Sequence, residues 1–194
     1  MMRHNISAKT PKRLVLIFIS VCIFLLAGCT QFVITQSLEK TIDKKAGCSI
    51  GAITDELPNG FHEGGKPTME AIDELKDQLY YSLADAGMFS AVRRDLKGAD
   101  YEVSGSILDY RKGSGCIRFF LPMGGEAKIT LELRLVDLKT NEIIFSGNFK
   151  GMVSDWKVEG NDMFVQVASD FAYEMLEDLY EIKKNQKNSE EESD

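Results

Sequence analysis

The side chains best suited to chemistry in this 194-residue chain are two histidines, four cysteines and 30 carboxylates, and their spacing decides what that chemistry could be. His62 is the sole histidine after residue 28, so it alone could bring an imidazole ligand or base to the body of the chain. A structural zinc ion needs several thiolates or imidazoles at paired spacing, and neither Cys48 nor Cys116 stands in such a pair. A serine, histidine and acid triad would have to centre on His62, and no G-x-S-x-G element accompanies it. An envelope hydrolase using the His62 loop is therefore an alternative, not the main reading. Gly113, Gly115, Gly124 and Gly125 match neither a dinucleotide fingerprint nor a P-loop, and the segment after Gly125 reads as a strand instead of the helix N-terminus a phosphate cradle requires. Asp55, Glu56 and Asn59 do not form the regular oxygen series of a calcium loop. Asp73 with Asp77, and Glu174 with Glu177 and Asp178, are close on helices. Their helical phase places them on wet faces, unlike the carboxylates that flank a sugar during glycoside hydrolysis. No metal and no cofactor is expected.

Cys29 belongs to a different chemistry. Arg3, Lys9, Lys12 and Arg13 make a basic leader without acids, and the 13 residues from Leu14 to Leu26 carry no charge. A bilayer-spanning helix takes about 20 apolar residues, so this run suits the apolar stretch of an export signal. Leu26-Ala27-Gly28-Cys29 resembles the lipobox of bacterial lipoproteins. The resemblance implies cleavage after Gly28 and acyl chains on Cys29, each buried methylene contributing about 0.8 kcal/mol to membrane attachment. Thr30, where an aspartate would favour the inner membrane, points to the periplasmic face of the outer membrane. Without the leader, 19 basic side chains face 30 acids, a formal charge of −11. That charge excludes nucleic acid as a partner, because backbone phosphates are held by concentrated positive charge. The body is expected to meet anionic lipid only through its anchor. Cys48 and Cys116 are left over. In an oxidising compartment they could pair, closing a loop that chain entropy values at roughly 4 kcal/mol, or stand as two separate buried thiols.

One stretch is unlike plain surface. Arg111, Lys112 and Gly113 lead into Cys116-Ile117-Arg118-Phe119-Phe120-Leu121-Pro122-Met123, an apolar and basic segment in an acidic protein. Contiguous exposed apolar surface marks a contact with a partner or a bilayer, which makes Ile117, Phe119, Phe120 and Leu121 candidate contact residues. Their alternation equally fits a bulged connection covering one end of the core. Trp156 is a second candidate anchor, since buried tryptophans dominate interface energies, and it could as well close a sheet edge.

The elements that must position these residues are readable from periodicity. Phe32, Val33, Ile34 and Leu38 could begin a short helix or strand in the stretch from residue 30 to 46. Residues 48–54 read as a weakly alternating strand, and 55–66, with Pro58, Asn59-Gly60 and Gly64-Gly65, as turns. Thr68 is positioned to cap a helix whose Met69, Ile72, Leu75, Leu79, Leu83 and Ala86 share one face, with Gly87 ending it. A strand over 89–94 would complete a strand, helix and strand crossover. Strands over 99–110, 127–137 and 143–153, the last two joined by a turn at Lys139-Thr140-Asn141, read as an antiparallel meander with bends at Gly105 and Gly147. A second helix from Asp162 to about Ile182 carries Phe164, Val165, Ala168, Phe171, Ala172, Met175, Leu176 and Leu179 on a broad apolar face. The expected organisation is a signal peptide at 1–28, an anchor and linker at 29–47, one domain at 48–182 and a disordered acidic tail at 183–194.

Leu83-Ala84-Asp85-Ala86-Gly87-Met88-Phe89-Ser90-Ala91-Val92 and Ala99-Asp100-Tyr101-Glu102-Val103-Ser104-Gly105-Ser106-Ile107 together resemble a pattern in uncharacterised periplasmic lipoprotein families. They are similar, more distantly, to the curli-secretion lipoprotein and the N-terminal domain of the Tol-system beta-propeller protein. Leu135-Val136-Asp137 and Thr140-Asn141-Glu142-Ile143-Ile144 fit the later hairpin of the same domain. The resemblance implies a small α/β domain with two helices on a mixed sheet, a role in envelope assembly, secretion or partner binding, and no catalytic residue. The membrane-spanning hairpins of the curli-type pore have no counterpart, since Arg118 and Pro122 interrupt the one apolar stretch. The expectation is an α+β two-layer sandwich with a mixed sheet of about five strands, an antiparallel meander and two helices on one face. It would serve as a noncatalytic envelope lipoprotein that binds another envelope protein or itself. Besides the His62 hydrolase, a carrier of a small apolar ligand between helices and sheet is the other alternative.

Overall fold

A computed structural model describes residues 32–56, 66–94, 98–113, 125–153 and 162–191, all within the unit Gln31–Asp194. Six strands and two helices follow in the order β1 (Phe32–Gln36), β2 (Gly47–Asp55), α1 (Met69–Ala86), β3 (Ala91–Arg93), β4 (Tyr101–Arg111), β5 (Ala127–Asp137), β6 (Glu142–Val153) and α2 (Asp162–Glu191). They make one mixed sheet in the order β1-β6-β5-β4-β2-β3. β2 runs parallel to β3 and to β4, while β4, β5 and β6 form the antiparallel meander. β2, β4 and β6 therefore all finish at one end of the sheet, called here the finishing end, and begin at the other, the starting end.

The two-layer fold agrees with the periodicity, and the sheet gains a sixth strand. β1 lies in the stretch expected to link anchor to body, and it pairs antiparallel with β6, Phe32 opposite Phe149 and Ile34 opposite Gly147. Phe32 stacks on Phe149 at 6.1 Å, Phe149 meets Phe171 edge-on at 5.3 Å, and Phe171 meets Phe145 at 5.6 Å. Such ring contacts add about 0.5–1.5 kcal/mol each beyond burial, and here they tie β1, β6 and α2 together. Leu38, Ile42 and Ala46, just after β1, are also buried. The Asp178 carboxylate on α2 accepts from the Leu38 backbone N–H at 2.8 Å and holds that connection down.

α1 starts and stops where its caps dictate. Thr68 Oγ1 accepts from Ala71 N at 3.2 Å, and Gly87 takes the left-handed conformation at φ 63°. Leu75, Leu79 and Leu83 are fully buried on the sheet, but Met69, expected on the same face, is 72% exposed because the first position is rotated off that stripe. In β2 the expected alternation breaks. Cys48 and Ile50 face the core, the pairing with β4 shifts between Ile50 and Ile53, and Ile53 is buried in place of Ala52. A bulge exchanges the faces of every residue beyond it. At Gly105 a side chain would press its Cβ to 2.3 Å from the Glu132 carbonyl, so the closeness of β4 and β5 there requires glycine.

β5 is the plainest strand: Ala127, Ile129, Leu131, Leu133 and Leu135 are buried under the helices, and Lys128, Thr130, Glu132 and Arg134 half-buried on the far face. α2 packs through Phe164, Val167, Ala168, Phe171, Ala172, Met175 and Leu179. Val165 and Leu176 lie outside this stripe and are 41% and 43% exposed. The helix continues past Ile182 to Glu191, over residues expected to be a disordered tail. Residues 183–189 are exposed, and the Lys184–Glu181 ion pair, one turn apart at 3.4 Å, adds to the local helical bonds of this extension.

Candidate interaction surface

The starting end of the sheet is organised by Asp100. Its Oδ2 accepts from Gly47 N at 3.0 Å and its Oδ1 takes an ion pair from Lys139 Nζ at 2.8 Å. Its backbone N–H donates to Gly47 O and its carbonyl accepts from Leu138 N, both at 2.9 Å. One residue thus joins the start of β2, the start of β4 and the β5–β6 hairpin. The hydrogen bond from Lys139, then that from Gly47, holds the Asp100 carboxyl below the ordinary carboxylate range. Tyr101 packs on Phe89 at 5.9 Å, and burial raises its phenol, with Asp137 adding to the effect. In the hairpin turn Asp137 Oδ1 accepts from Lys139 N at 2.8 Å, and Asn141 takes the left-handed conformation at φ 58°.

Beside this hub lies a cleft of about 670 Å³ walled by Gln36, Lys40, Tyr101, Asp137, Asn141 and Glu142, among others. The lining is mostly polar. Across the helix layer, a shallower groove of about 250 Å³ runs between Ser82, Asp85 and Ala86 of α1 and Ser169, Ala172, Tyr173 and Leu176 of α2. Tyr173 in this groove is exposed, as are Tyr81 on α1 and Tyr180 on α2. The opposite flank of α2 is acidic. Burial raises the carboxyls of Asp170 and Glu174 above their ordinary values, and Glu174 is pushed further by Glu177, Asp178 and Asp170.

Of the candidate site residues singled out by sequence, Cys48 is the one the structure describes. It is a fully buried free thiol in β2, with Sγ 3.7 Å from the Ser49 carbonyl, and burial pushes its pKa from 9.0 up to about 12. A thiol so protonated is a poor nucleophile. Cys29, His62, Cys116, Ile117, Phe119, Phe120, Leu121 and Trp156 lie outside the described residues. Topology nonetheless relates three of the segments that hold them. The connection containing His62 follows the end of β2, that containing residues 116–121 follows the end of β4, and that containing Trp156 follows the end of β6. The described ends of β2, β4 and β6 that precede these connections lie at the finishing end of the sheet. Among the described residues no group of three or more His, Cys, Asp or Glu is placed to hold a metal ion, and no helix is long and apolar enough to cross a membrane.

The exposed tyrosines of α2 and the polar cleft escape sequence reading. Tyr173 and Tyr180 recur at a helical spacing beside the apolar stripe, a signal that is present but too common to single out. The cleft needs the register between β1 and β6, which no local pattern carries.

Residues 53–189 match a family model described as Domain of unknown function (DUF4410). The chain belongs to that family. No curated protein matches it. Among solved structures, this DUF4410 chain is similar to the PelC dodecamer from Paraburkholderia phytofirmans. A point variant shows 14% identity over 77% of this chain and 97% of that one, with a TM-score of 0.53. A second crystal form shows 16% identity over 72% and 96%, with a TM-score of 0.51. A lipoprotein from Neisseria meningitidis is similar at 12% identity over 56% of this chain and 83% of that one, with a TM-score of 0.40. At these identities the PelC likeness establishes a shared fold.

Proposed function

We propose that this DUF4410 chain is a noncatalytic lipoprotein held at the periplasmic face of the outer membrane by acyl chains on Cys29. It works by binding, to further copies of itself or to another envelope protein, through a surface to which Ile117, Phe119, Phe120, Leu121 and Trp156 contribute. The observation that carries this reading is the fold, two helices on one face of a six-stranded mixed sheet, which is that of PelC, a protein crystallised as a dodecamer. The lipobox-like Leu26-Ala27-Gly28-Cys29 supports the anchor. The apolar and basic composition of residues 116–123 in an acidic chain supports the contact.

The test is the mass of the native protein extracted from membranes in mild detergent, measured for the assembly and for its N-terminal peptide. The expected results are an acylated peptide beginning at Cys29 and an assembly several times the monomer mass, or a stoichiometric complex with one envelope protein. Phe119→Glu with Phe120→Glu should return the assembly to monomer with unchanged circular dichroism. A monomer in the unsubstituted protein, with no copurifying partner, rejects the binding role.

A further inference from the structure

The orientation of the domain on its membrane follows from where the chain enters the sheet. Phe32 is pinned, paired opposite Phe149 and stacked on its ring. Cys29 precedes it by three residues, which reach about 10 Å when fully extended. Phe149 lies four positions before Val153, where β6 finishes, and seven after Glu142, where it begins. At about 3.3 Å per strand residue these separations are roughly 13 Å and 23 Å. Because β1 is antiparallel to β6, Phe32 is the residue of β1 nearest the finishing end. A fully extended tether of that length would come within a few ångströms of that end and would fall far short of the starting end.

The side chains at the finishing end suit a lipid surface. Met69 opens α1 at 72% exposure, Val165 lies in the first turn of α2 at 41%, and Leu108 and Met152 near the ends of β4 and β6 are 37% and 36% exposed. Val33, beside the tether on β1, is 66% exposed. α1 begins here because β3 starts opposite Gly47 at the starting end, so the crossover helix must descend from the finishing end. Gly151 lets the helix layer meet the sheet closely, its position for a Cβ being 2.0 Å from the Met163 carbonyl, and Met152 N donates to Gln166 Oε1 at 3.0 Å. The start of α2 is thereby fixed level with Met152.

We propose that the finishing end of the sheet, with Met69, Leu108, Met152 and Val165, rests on the bilayer, while the Asp100 hub, the polar cleft and the C-terminal turns of α2 face away from it. This rests on acylation at Cys29. The occupant is a lipid surface and not a protein, because the tether places that end at the headgroups whatever else the domain binds. The contact is apolar, since a mature chain of formal charge −11 gains nothing from anionic headgroups.

The experiment uses the acylated protein in vesicles of phosphatidylethanolamine and phosphatidylglycerol doped with nitroxide-labelled lipid. An environment-sensitive fluorophore is attached to Met69→Cys, Met152→Cys, Asn141→Cys or Glu181→Cys in a Cys116→Ser background, the buried Cys48 staying unlabelled. The expected result is severalfold quenching with a blue shift at positions 69 and 152, neither at 141 and 181, and no change between low and high salt. Equal quenching at both ends, stronger quenching at 141 or 181, or none at any position, in protein whose Cys29 acylation is verified by mass, overturns the orientation alone. An unacylated Cys29 overturns both the orientation and the anchored reading beneath it.

Discussion

Cys48 carries its chemistry in its surroundings. The folded chain keeps the thiol proton well above pH 9, whereas the unfolded chain releases it near its ordinary value of 9.0. Native protein therefore binds more protons than unfolded protein between pH 9 and about 12. The thiol's contribution to stability is complete below pH 9 and is lost as pH rises through that window. Denaturant titrations should show this alkaline decline, and Cys48→Ala should flatten it while lowering stability at pH 7 by about 1 kcal/mol for the void left behind. Maleimide should leave Cys48 unmodified in the native protein. In denaturant without reductant it should modify Cys48 at once, as a free thiol; modification only after reduction would mean that Cys48 is paired with Cys116 and would remove the basis of the alkaline decline as well. Asp100 has the opposite sign. Its carboxyl is held down by Lys139 and Gly47, so its contribution is present above the ordinary carboxylate range and is lost as pH falls through its lowered value. Asp100→Asn should be less stable than the unsubstituted protein at pH 7 and converge with it in acid, as read from melting temperatures across pH. The Ala-Asp-Tyr run visible in the sequence is thus a joint between three strands' ends, a role its spelling alone does not disclose.

At the scale of the elements, what is legible depends on how local the deciding interaction is. α1 could be read to the residue because Thr68 and Gly87 are caps within its own sequence, and β5 because strict alternation survives when one face is buried under helices. The bulge in β2, the sixth strand at β1 and the length of α2 could not. The bulge comes from pairing with β4, β1 from pairing with a strand more than a hundred residues away, and the last turns of α2 from helical bonding that persists without an apolar face. The candidate contact residues Ile117, Phe119, Phe120, Leu121 and Trp156 lie outside the described residues, and the sequence offers for them composition and one short alternation. Two consequences test these distinctions. Ending the chain after Ile182 should change stability by no more than about 0.5 kcal/mol, since residues 183–189 are exposed and bury no apolar face. Gly151→Ala, in contrast, drives a methyl into the Met163 carbonyl, and a clash against backbone on both sides should cost about 1–3 kcal/mol or more and release the start of α2. Hydrogen exchange in the first turns of α2 would report that release, with α1 unaffected.

For the whole molecule, charge and anchor act in opposite directions. In the proposed lipoprotein, 30 acids over 19 basic residues would keep the mature body away from anionic headgroups, while acyl chains on a short tether would hold it there. Both edges of the sheet are short, five residues in β1 and three in β3, so edge-to-edge pairing between neighbouring copies offers few backbone bonds. Copies anchored in one membrane as proposed would share one orientation, and association among them through the proposed contact residues Ile117, Phe119, Phe120, Leu121 and Trp156 would run sideways, parallel to the bilayer. A body beginning at Thr30, without acyl chains, should then fail to bind vesicles of phosphatidylglycerol at any ionic strength in a flotation assay, since neither its charge nor its scattered apolar side chains suffice alone. Retention of that body on anionic vesicles at low salt, and its release at high salt, would mean that a basic surface outweighs the net charge. The apolar account of how the domain meets its membrane would then be replaced by an electrostatic one.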